Sequence, residues 1–290
     1  MTLIEKLGRE FVITTELGPV KGVQTDEAIE KASGYLPLDA INIHDCPMGN
    51  LRINATMMGS VIQNKLSIES IPHFTCRDRS LLGTQADLLG AYAMGIRNVL
   101  VTTGDPPKHG AFSESSKAVY NYNTLELVRL IKKMNAGLDY NDKEYGGQTA
   151  FNIACTAIPT TKDIDREISR MERKIDAGAD FFQTQVVYDA EKAVKFAEKA
   201  KSLKKPVIMG IMPLKSLKMA SYMKDNVDGI DIPDHIIDKM REGIDGIGIC
   251  CEIIKQVYPY YDGIHIMAMG NISGTNTIIE YINSLKTSSK

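Results

Sequence analysis

The sequence lacks the features that mark membrane-spanning and nucleic-acid-binding proteins. No apolar run approaches the roughly 20 residues of a membrane-spanning helix, and the charged N-terminal stretch MTLIEKLGREF is unlike a signal peptide. The formal net charge of -2 gives no general attraction to nucleic acid or to an anionic membrane. We therefore expect a cytoplasmic protein with neither nucleic acid nor membrane among its partners.

Cysteine is scarce, and the five cysteines suggest neither a disulfide framework nor a metal cluster. They form no C-x-x-C unit, and the adjacent Cys250 and Cys251 would point about 100° apart on a helix. Several lie in apolar strand-like runs, which favours reduced, buried thiols. The five histidines are scattered and poorly matched with carboxylates, so we expect no metal centre.

Three common motifs of nucleotide-binding and hydrolytic enzymes are also absent. The chain has no GxGxxG after a strand and no GxxxxGK[ST], so neither a Rossmann site nor a Walker loop is indicated. It also has no GxSxG turn, the motif that presents a nucleophilic serine.

The chain does contain a repeated alternation of short apolar runs and longer amphipathic stretches. Strands are predicted at 11–16, 40–45, 70–76, 97–103, 149–157, 181–187, 206–212 and 263–269. Helical stretches between them include 25–35, 80–94, 123–134, 163–177, 190–203 and 244–256. Runs of isoleucine and valine without polar alternation are typical of strands buried on both faces of a parallel sheet. Eight βα units favour an α/β fold closed as a (β/α)8 TIM barrel. Because no linker interrupts the pattern, we predict a single domain over residues 1–290.

The chemistry of such a barrel lies at the carboxyl ends of its strands. Glu16 ends the first predicted strand, where burial would raise its pKa and let it donate a proton near neutral pH. A rim carboxylate paired with a lysine is the alternative. Asp105 follows a glycine and precedes two prolines, and its spacing alone fits a turn role and a catalytic role equally well. The other strand-end candidates are His44, Asp45, Thr75, Cys76, Gln183, Gln185 and Asn271.

Two pairs of polar residues remain ambiguous on pattern alone. Gln183 and Gln185 share one face of their strand, and either amide could bond to the edge of a heterocycle. His73 and His265 could each contact a ligand or lie in the core bonded to a backbone carbonyl. Taken alone, the residues favour the core role.

Five short blocks in barrel order carry a resemblance to a known family. The blocks TTELGP, PHFTC, TGDPP, RKIDAGADFFQTQ and GIMP resemble the catalytic domain of 5,10-methylenetetrahydrofolate reductase, whose blocks commonly read FEFFPP, PHLTC, RGDxP, KxDAGAxxxxTQ and GILP. Each block is weak alone, but together they span nearly the whole chain. The resemblance implies a (β/α)8 barrel that binds FAD and reduces 5,10-methylenetetrahydrofolate to 5-methyltetrahydrofolate.

The resemblance also implies a role for each matching residue. Glu16 matches the general acid that protonates N10 of the folate, and Asp105 matches the aspartate that stabilises positive charge near flavin and pterin. Gln185 matches the amide that grips the substrate. The positions implied to contact the flavin are His73, Thr103, Gly104, Asp105, Glu167 and Lys174, with Lys174 at a cofactor phosphate and Glu167 at the ribose or adenosine.

The sequence departs from the family pattern at four positions near the expected ligands. Met219 replaces a glutamine after GIMP, and Asn271 stands where an arginine or a Trp-Glu pair is usual. Thr103 replaces an arginine, and Ile158 replaces an aromatic residue. The departures affect the flavin type, FAD or FMN, and the folate grip more than the fold.

The resemblance implies partners as well as a substrate. NADH or another donor would supply electrons, directly or through a partner subunit, with ping-pong kinetics at one flavin face. A homo-oligomer is also expected. The alternative hypotheses are a folate-binding methyltransferase that exchanges methyl with a corrinoid protein, and a non-catalytic accessory barrel.

Overall fold

Eight parallel strands form a closed barrel in chain order. The computed structural model describes residues 1–18, 20–106, 110–227 and 229–288. The strands are β1 (Val12–Leu17), β2 (Ala40–Ile43), β3 (Glu69–Thr75), β4 (Asn98–Thr102), β5 (Asn152–Ala157), β6 (Phe181–Val186), β7 (Val207–Ile211) and β8 (Gly263–Ile266). β8 pairs with β1, which closes the barrel. The predicted TIM barrel is confirmed, and each predicted strand is present with ends that differ by a few residues.

Helices connect the strands, as the amphipathic stretches predict. They are α1 (Leu3–Lys6), α2 (Asp26–Ser33), α3 (Ala55–Leu66), α4 (Leu81–Ala93), α5 (Thr124–Asn135), α6 (Ile164–Ala177), α7 (Ala190–Ala200), α8 (Leu217–Asn226), α9 (Asp234–Arg241), α10 (Gly246–Val257) and α11 (Ile272–Ser288). Within the described ranges, none of these helices has the length and apolarity needed to cross a membrane.

The helix that precedes β6 shows how local sequence sets the ends of these elements. The Asp163 side chain accepts a hydrogen bond from the Arg166 backbone N–H at 2.9 Å, which caps the first turn of α6. Gly178 follows the helix with φ of +121°, and a Cβ there would lie 2.9 Å from the Lys132 side chain. Glycine is therefore required on both conformational and steric grounds. Both ends of α6 are where the sequence predicts them.

The lower part of the barrel interior is filled by hydrocarbon. We call it the lower layer, and its strand residues are Val12, Ala40, Ile71, Leu100, Ala154, Phe181 and Ile208. Leu3 and Leu7, at the start of the chain, pack against these residues and cover them from the amino-terminal side. The layer is therefore a packed floor beneath any site at the opposite end.

Polar side chains occupy the interior above the lower layer. The Thr14 hydroxyl lies 2.9 Å from Nδ1 of His265, and Nδ2 of Asn42 donates to Oε1 of Gln183 across the barrel at 2.9 Å. Asn42 also lies 3.2 Å from Nε2 of His73. We call these five residues the middle layer. Thr14, Asn42, His73 and Gln183 lie two residues beyond the lower layer on their strands, and His265 of β8 joins them at the same level through Thr14, so the five point inward at the next level of the barrel.

The long loop predicted over 106–122 lies between β4 and α5. The Tyr120 hydroxyl donates to the Gly104 carbonyl at 3.0 Å, and the Val119 N–H donates to the Arg77 carbonyl at 2.7 Å. These bonds hold the end of the loop against β3 and β4. Pro107, the second proline of TGDPP, and Pro19, of the turn after Glu16, lie outside the described residues.

Candidate active site at the carboxyl end of the barrel

A cavity of about 470 Å³ opens at the carboxyl ends of the strands. Its walls include six of the residues that the resemblance implicates: Glu16, His73, Thr103, Gly104, Asp105 and Gln185. The volume is within the usual range for a small-molecule site. The structure therefore brings most of the predicted site residues, from four strands and their loops, around one space.

Glu16 lies in β1 with its carboxylate at the cavity wall, where its side chain is 11% exposed. Its Oε2 lies 3.1 Å from Nε2 of His44, a contact that the sequence analysis does not foresee. Burial raises the pKa of Glu16, but the His44 contact, the charge of His265 and the Met269 backbone amide together hold the pKa below its ordinary value. The predicted rise in pKa is therefore wrong, because an imidazole rather than hydrocarbon faces the carboxylate.

The other two histidines of the cavity belong to the middle layer. Burial lowers the pKa of His265 to about 4, and burial together with the charges of His44 and His265 lowers the pKa of His73 well below its usual value. Both rings are thus neutral near neutral pH and can accept or donate one hydrogen bond on each side. Each is bonded to a side chain of the barrel, Thr14 or Asn42, rather than to a backbone carbonyl.

Asp105 follows β4 and is held from two sides. Its Oδ2 accepts a hydrogen bond from the Met48 backbone N–H at 3.1 Å, and its carbonyl accepts one from Nη1 of Arg77 at 3.2 Å. Gly104 precedes it with φ of +83°, and a Cβ there would lie 2.9 Å from Cβ of Thr75. Glycine therefore lets the chain turn tightly beside β3 and exposes bare backbone to the cavity.

The two glutamines of β6 both line the cavity but differ in their partners. Oε1 of Gln183 is already bonded to Asn42, and this side chain is buried. Gln185 is exposed, and the β6–β7 register shifts between Gln183 and Val186. Gln185 therefore offers a cavity ligand a whole exposed amide, whereas the oxygen of Gln183 already has a partner.

Two predicted cofactor residues, Lys174 and Glu167, are buried in α6 and are not among the residues that line the cavity. Nζ of Lys174 donates to the Thr156 carbonyl at 2.5 Å, and burial lowers the pKa of this lysine. Oε1 of Glu167 accepts from the Ile158 N–H at 3.1 Å. Because Thr156 itself lines the cavity, Lys174 lies one residue behind the wall.

Three strand-end candidates of the sequence analysis have structural roles. Asp45 lines the cavity, but its carboxylate accepts from the Thr75 hydroxyl at 2.8 Å and from Nη1 of Arg79 at 2.6 Å. Cys76 is fully buried, and burial raises the pKa of its thiol to about 12. Asn271 accepts from the Gly274 N–H and caps α11. These contacts bind the strand ends to one another and to the outer helices.

The buried Arg77 is among the cavity residues that the sequence did not indicate. Nη2 donates to the carbonyls of Asp45 at 3.3 Å and Cys46 at 2.9 Å, and Nη1 donates to that of Asp105. An arginine directly after an apolar strand was the available signal, since a buried guanidinium must find several acceptors. Across the described ranges, no group of histidine, cysteine and carboxylate side chains is arranged to hold a metal ion.

Comparisons with known proteins assign the chain to a family. The sequence model described as methylenetetrahydrofolate reductase matches residues 5–283. Methylenetetrahydrofolate reductase 1 of Schizosaccharomyces pombe is 29% identical over 187 residues, covering 62% of this chain and 28% of that protein. Methylenetetrahydrofolate reductase (NADH) 1 of Arabidopsis thaliana is 27% identical over 179 residues, covering 59% of this chain and 30% of that protein. The match thus spans less than a third of either relative.

A comparison of structures supports the fold alone. The crystal structure of oxaloacetate acetylhydrolase superposes with a TM-score of 0.52 at 12% identity, covering 96% of this chain and 83% of that one. At that identity the likeness carries no functional argument. The family match, in contrast, extends over nearly the whole barrel and over every strand that lines the cavity. The chain belongs to the methylenetetrahydrofolate reductase family.

Proposed function

We propose that this barrel is a single flavin- and folate-binding domain that reduces 5,10-methylenetetrahydrofolate to 5-methyltetrahydrofolate. The observation that carries the proposal is the meeting of Glu16, Asp105 and Gln185 around one cavity. The carboxyl group of Glu16 can donate a proton, and the carboxylate of Asp105 can stabilise a positive charge. The exposed amide of Gln185 can form hydrogen bonds with the edge of a heterocycle. Family membership supports the same reaction.

The residues around the cavity fit the ring end of a flavin. Gly104 lines the cavity and has no side chain, so a flat ring can approach its backbone from the cavity side. Below the cavity wall, Oδ1 of the buried Asn42 has no hydrogen-bond partner among the described residues. It marks a polar floor that can take a donor from a ligand or a bridging water. When bound, reduced flavin would supply the hydride.

Residues of the chain would donate the proton that opens the folate ring and stabilise the positive charge that results. Glu16 would donate its proton to N10 of the folate, which opens the imidazolidine ring and leaves a positively charged iminium. Asp105, fixed by the Met48 amide, would stabilise that charge and orient the pterin. Gln185 would hold the heterocycle edge, while His73, Thr103 and Gly104 would hold the flavin.

The position of Lys174 bears on the choice between FAD and FMN. A phosphate or adenosine contact requires Lys174 and Glu167 to leave their present partners in the barrel wall, Thr156 and Ile158. FAD remains the proposed cofactor because the family resemblance favours it. The burial of Lys174 and Glu167 in the barrel wall is also the observation that supports the alternative function, a methyltransferase that binds folate without flavin.

We further propose NADH or another donor as the electron source, acting directly or through a partner subunit, in a cytoplasmic homo-oligomer. The name of the Arabidopsis relative specifies NADH. Donor and folate would use the same cavity in turn, because it is the one that contains the proposed acid.

Absorption spectroscopy of the purified protein tests the proposal. We expect the visible bands of bound flavin, or their appearance after addition of FAD or FMN. After anaerobic reduction, addition of 5,10-methylenetetrahydrofolate should restore the oxidised spectrum and yield 5-methyltetrahydrofolate. A protein that takes up neither flavin contradicts the reductase. Methyl transfer from 5-methyltetrahydrofolate to cob(I)alamin by that colourless protein would establish the alternative.

A further inference from the structure

His44 lies beside the proposed general acid at the top of two neighbouring strands. The register pairs Leu17 of β1 with Ile43 of β2, which places Glu16 and His44 at the same end of the barrel. Nε2 of His44 lies 3.1 Å from Oε2 of Glu16. No other hydrogen bond or ion pair of the His44 side chain is found among the described residues. Among the described residues, the His44 imidazole therefore has Glu16 as its polar side-chain partner.

The surroundings of His44 differ from those of the other two cavity histidines. His265 and His73 are bonded to Thr14 and Asn42, and the pKa of each is lowered by burial, so neither holds a spare proton near neutral pH. The His44 side chain is 26% exposed, and its ring packs edge-on against His73 with centroids 4.8 Å apart. Its ring thus touches the carboxylate on one side and remains open to solvent protons.

Glu16 needs a proton source if it is to act as a general acid. Burial raises the pKa of Glu16, but the contacts with His44, His265 and Met269 lower it more, so the group is a carboxylate near neutral pH. A carboxylate cannot protonate N10 of a folate. The proton that ring opening consumes must therefore reach Glu16 from a neighbour.

We propose that His44 is a positioning residue that orients Glu16 and supplies it with the proton used in ring opening. This inference rests on the proposed function. The Nε2–H bond of the imidazolium breaks and an O–H bond forms at Oε2 of Glu16, which then gives that proton to N10. The neutral imidazole regains a proton from solvent, so the two side chains carry one proton between them.

The remaining titratable and charged groups around the pair come from every neighbouring element. They are Tyr35, Asp45, His73, Arg77, Asp105 and His265. Asp45 is paired with Arg79, and Arg77 is bonded to Asp78 and to backbone carbonyls, so their charges are largely compensated. Burial and the charge of Glu16 raise the pKa of the Tyr35 hydroxyl, which stays neutral. None of them makes the direct contact with Glu16 that His44 makes.

The pH dependence of folate reduction tests the pair. The rate of reoxidation of the reduced holoenzyme by 5,10-methylenetetrahydrofolate would be measured between about pH 6 and about pH 9 in wild type and in His44→Gln. A pair binds its proton more tightly than the carboxyl group alone, so removing the imidazole moves the alkaline fall in rate to lower pH. We expect a loss of about threefold or less near pH 6 and of about tenfold or more near pH 9.

His235→Gln is the matched control, since the same change is made on the exposed start of α9. Its pH profile should match that of wild type. A loss in His44→Gln that is equal at all pH values would indicate a purely structural role and overturn the inference.

Infrared spectroscopy gives a second readout that needs neither flavin nor folate. The Glu16 band is identified by its loss in Glu16→Gln. Wild type should show a carboxylate near neutral pH, while in His44→Gln the protonated carboxyl band should persist to higher pH than in wild type, because the lowering effect of His44 on the pKa of Glu16 is gone. An unchanged Glu16 band in His44→Gln also overturns the inference. If the band changes but wild type makes no 5-methyltetrahydrofolate, the pair stands and the proposed function fails.

Discussion

The two ends of the barrel interior are built from the same strands but from opposite kinds of side chain. The lower layer contains hydrocarbon from seven strands, with Phe181 among its largest members, and is covered by Leu3 and Leu7. Two residues further along the strands, the middle layer is made of threonine, asparagine, glutamine and histidine. Above it lies the cavity with Glu16 and Asp105.

The change from apolar to polar side chains along the barrel axis places the residues that stabilise the fold below the residues that line the proposed active site. Hydrocarbon burial stabilises the fold without any partner, whereas each buried polar group needs a hydrogen bond to offset the loss of water. The middle layer meets most of that need by its own hydrogen bonds, with Oδ1 of Asn42 as the exception, so it can hold polar groups beneath the cavity. Substitutions at successive levels should therefore change from effects on unfolding to effects on turnover.

The largest effect is expected in the lower layer. Phe181→Ala should lower the free energy of unfolding by about 3–5 kcal/mol, because it removes a fully buried ring and leaves a cavity. Urea unfolding measures this change. Phe112→Ala, at a ring that is 40% exposed on the rim, is the control and should cost less than about 1 kcal/mol. Equal losses in the two variants would remove the distinction between floor and rim.

In the middle layer we expect a pH-dependent effect on stability. Burial lowers the pKa of His265 to about 4 in the folded protein, whereas an unfolded histidine titrates near 6.5. The unfolded state therefore binds a proton first as the pH falls. The stabilisation is fully present above about pH 6.5 and is lost towards pH 4, by about 3 kcal/mol in total.

His265→Asn should remove that part of the acid dependence. Urea unfolding of wild type and variant across this pH range would show a shallower decline for the variant. Parallel curves would mean that the pKa of His265 is the same in the folded and the unfolded protein.

At the cavity, the expected effect is on turnover and not on unfolding. Glu16→Gln should slow folate reduction at least about 100-fold, which is the usual scale for a general acid, while flavin binding stays within about threefold. The reoxidation rate of reduced enzyme measures the first, and flavin titration the second. Glu27→Gln, at an exposed site paired with Lys31, should behave as wild type. Near wild-type turnover in Glu16→Gln would remove this residue from the mechanism.

The sequence predicts the fold well because a TIM barrel repeats one pattern. Eight apolar runs and six of the intervening helices are each visible in a short window of residues, and the caps of α6 depend on Asp163 and Gly178 alone. Glu16 and Asp105 could be placed at the cavity for the same reason, since each is tied to the end of a strand, whereas Gln185 was preferred to Gln183 by the family resemblance.

Contacts between strands could not be predicted in the same way. The pairing of Glu16 with His44 depends on the β1–β2 register and on side-chain rotamers, neither of which a motif encodes. The pKa of Glu16 was therefore misjudged. The burial of Lys174 depends on which side of α6 faces the barrel and on a carbonyl 18 residues away in the chain, Thr156. Its predicted role at a phosphate stays a prediction.

The hydrogen bonds of Arg77 connect the loop after β2 with the loop after β4. One guanidinium links the Cys46 carbonyl, after β2, with the Asp105 carbonyl, after β4, and Asp105 in turn holds the Met48 amide. We expect the two loops to shift as a rigid body when either is displaced, since breaking the link would leave a buried cation short of acceptors. A ligand that displaces Asp105 would therefore also displace the loop that follows His44.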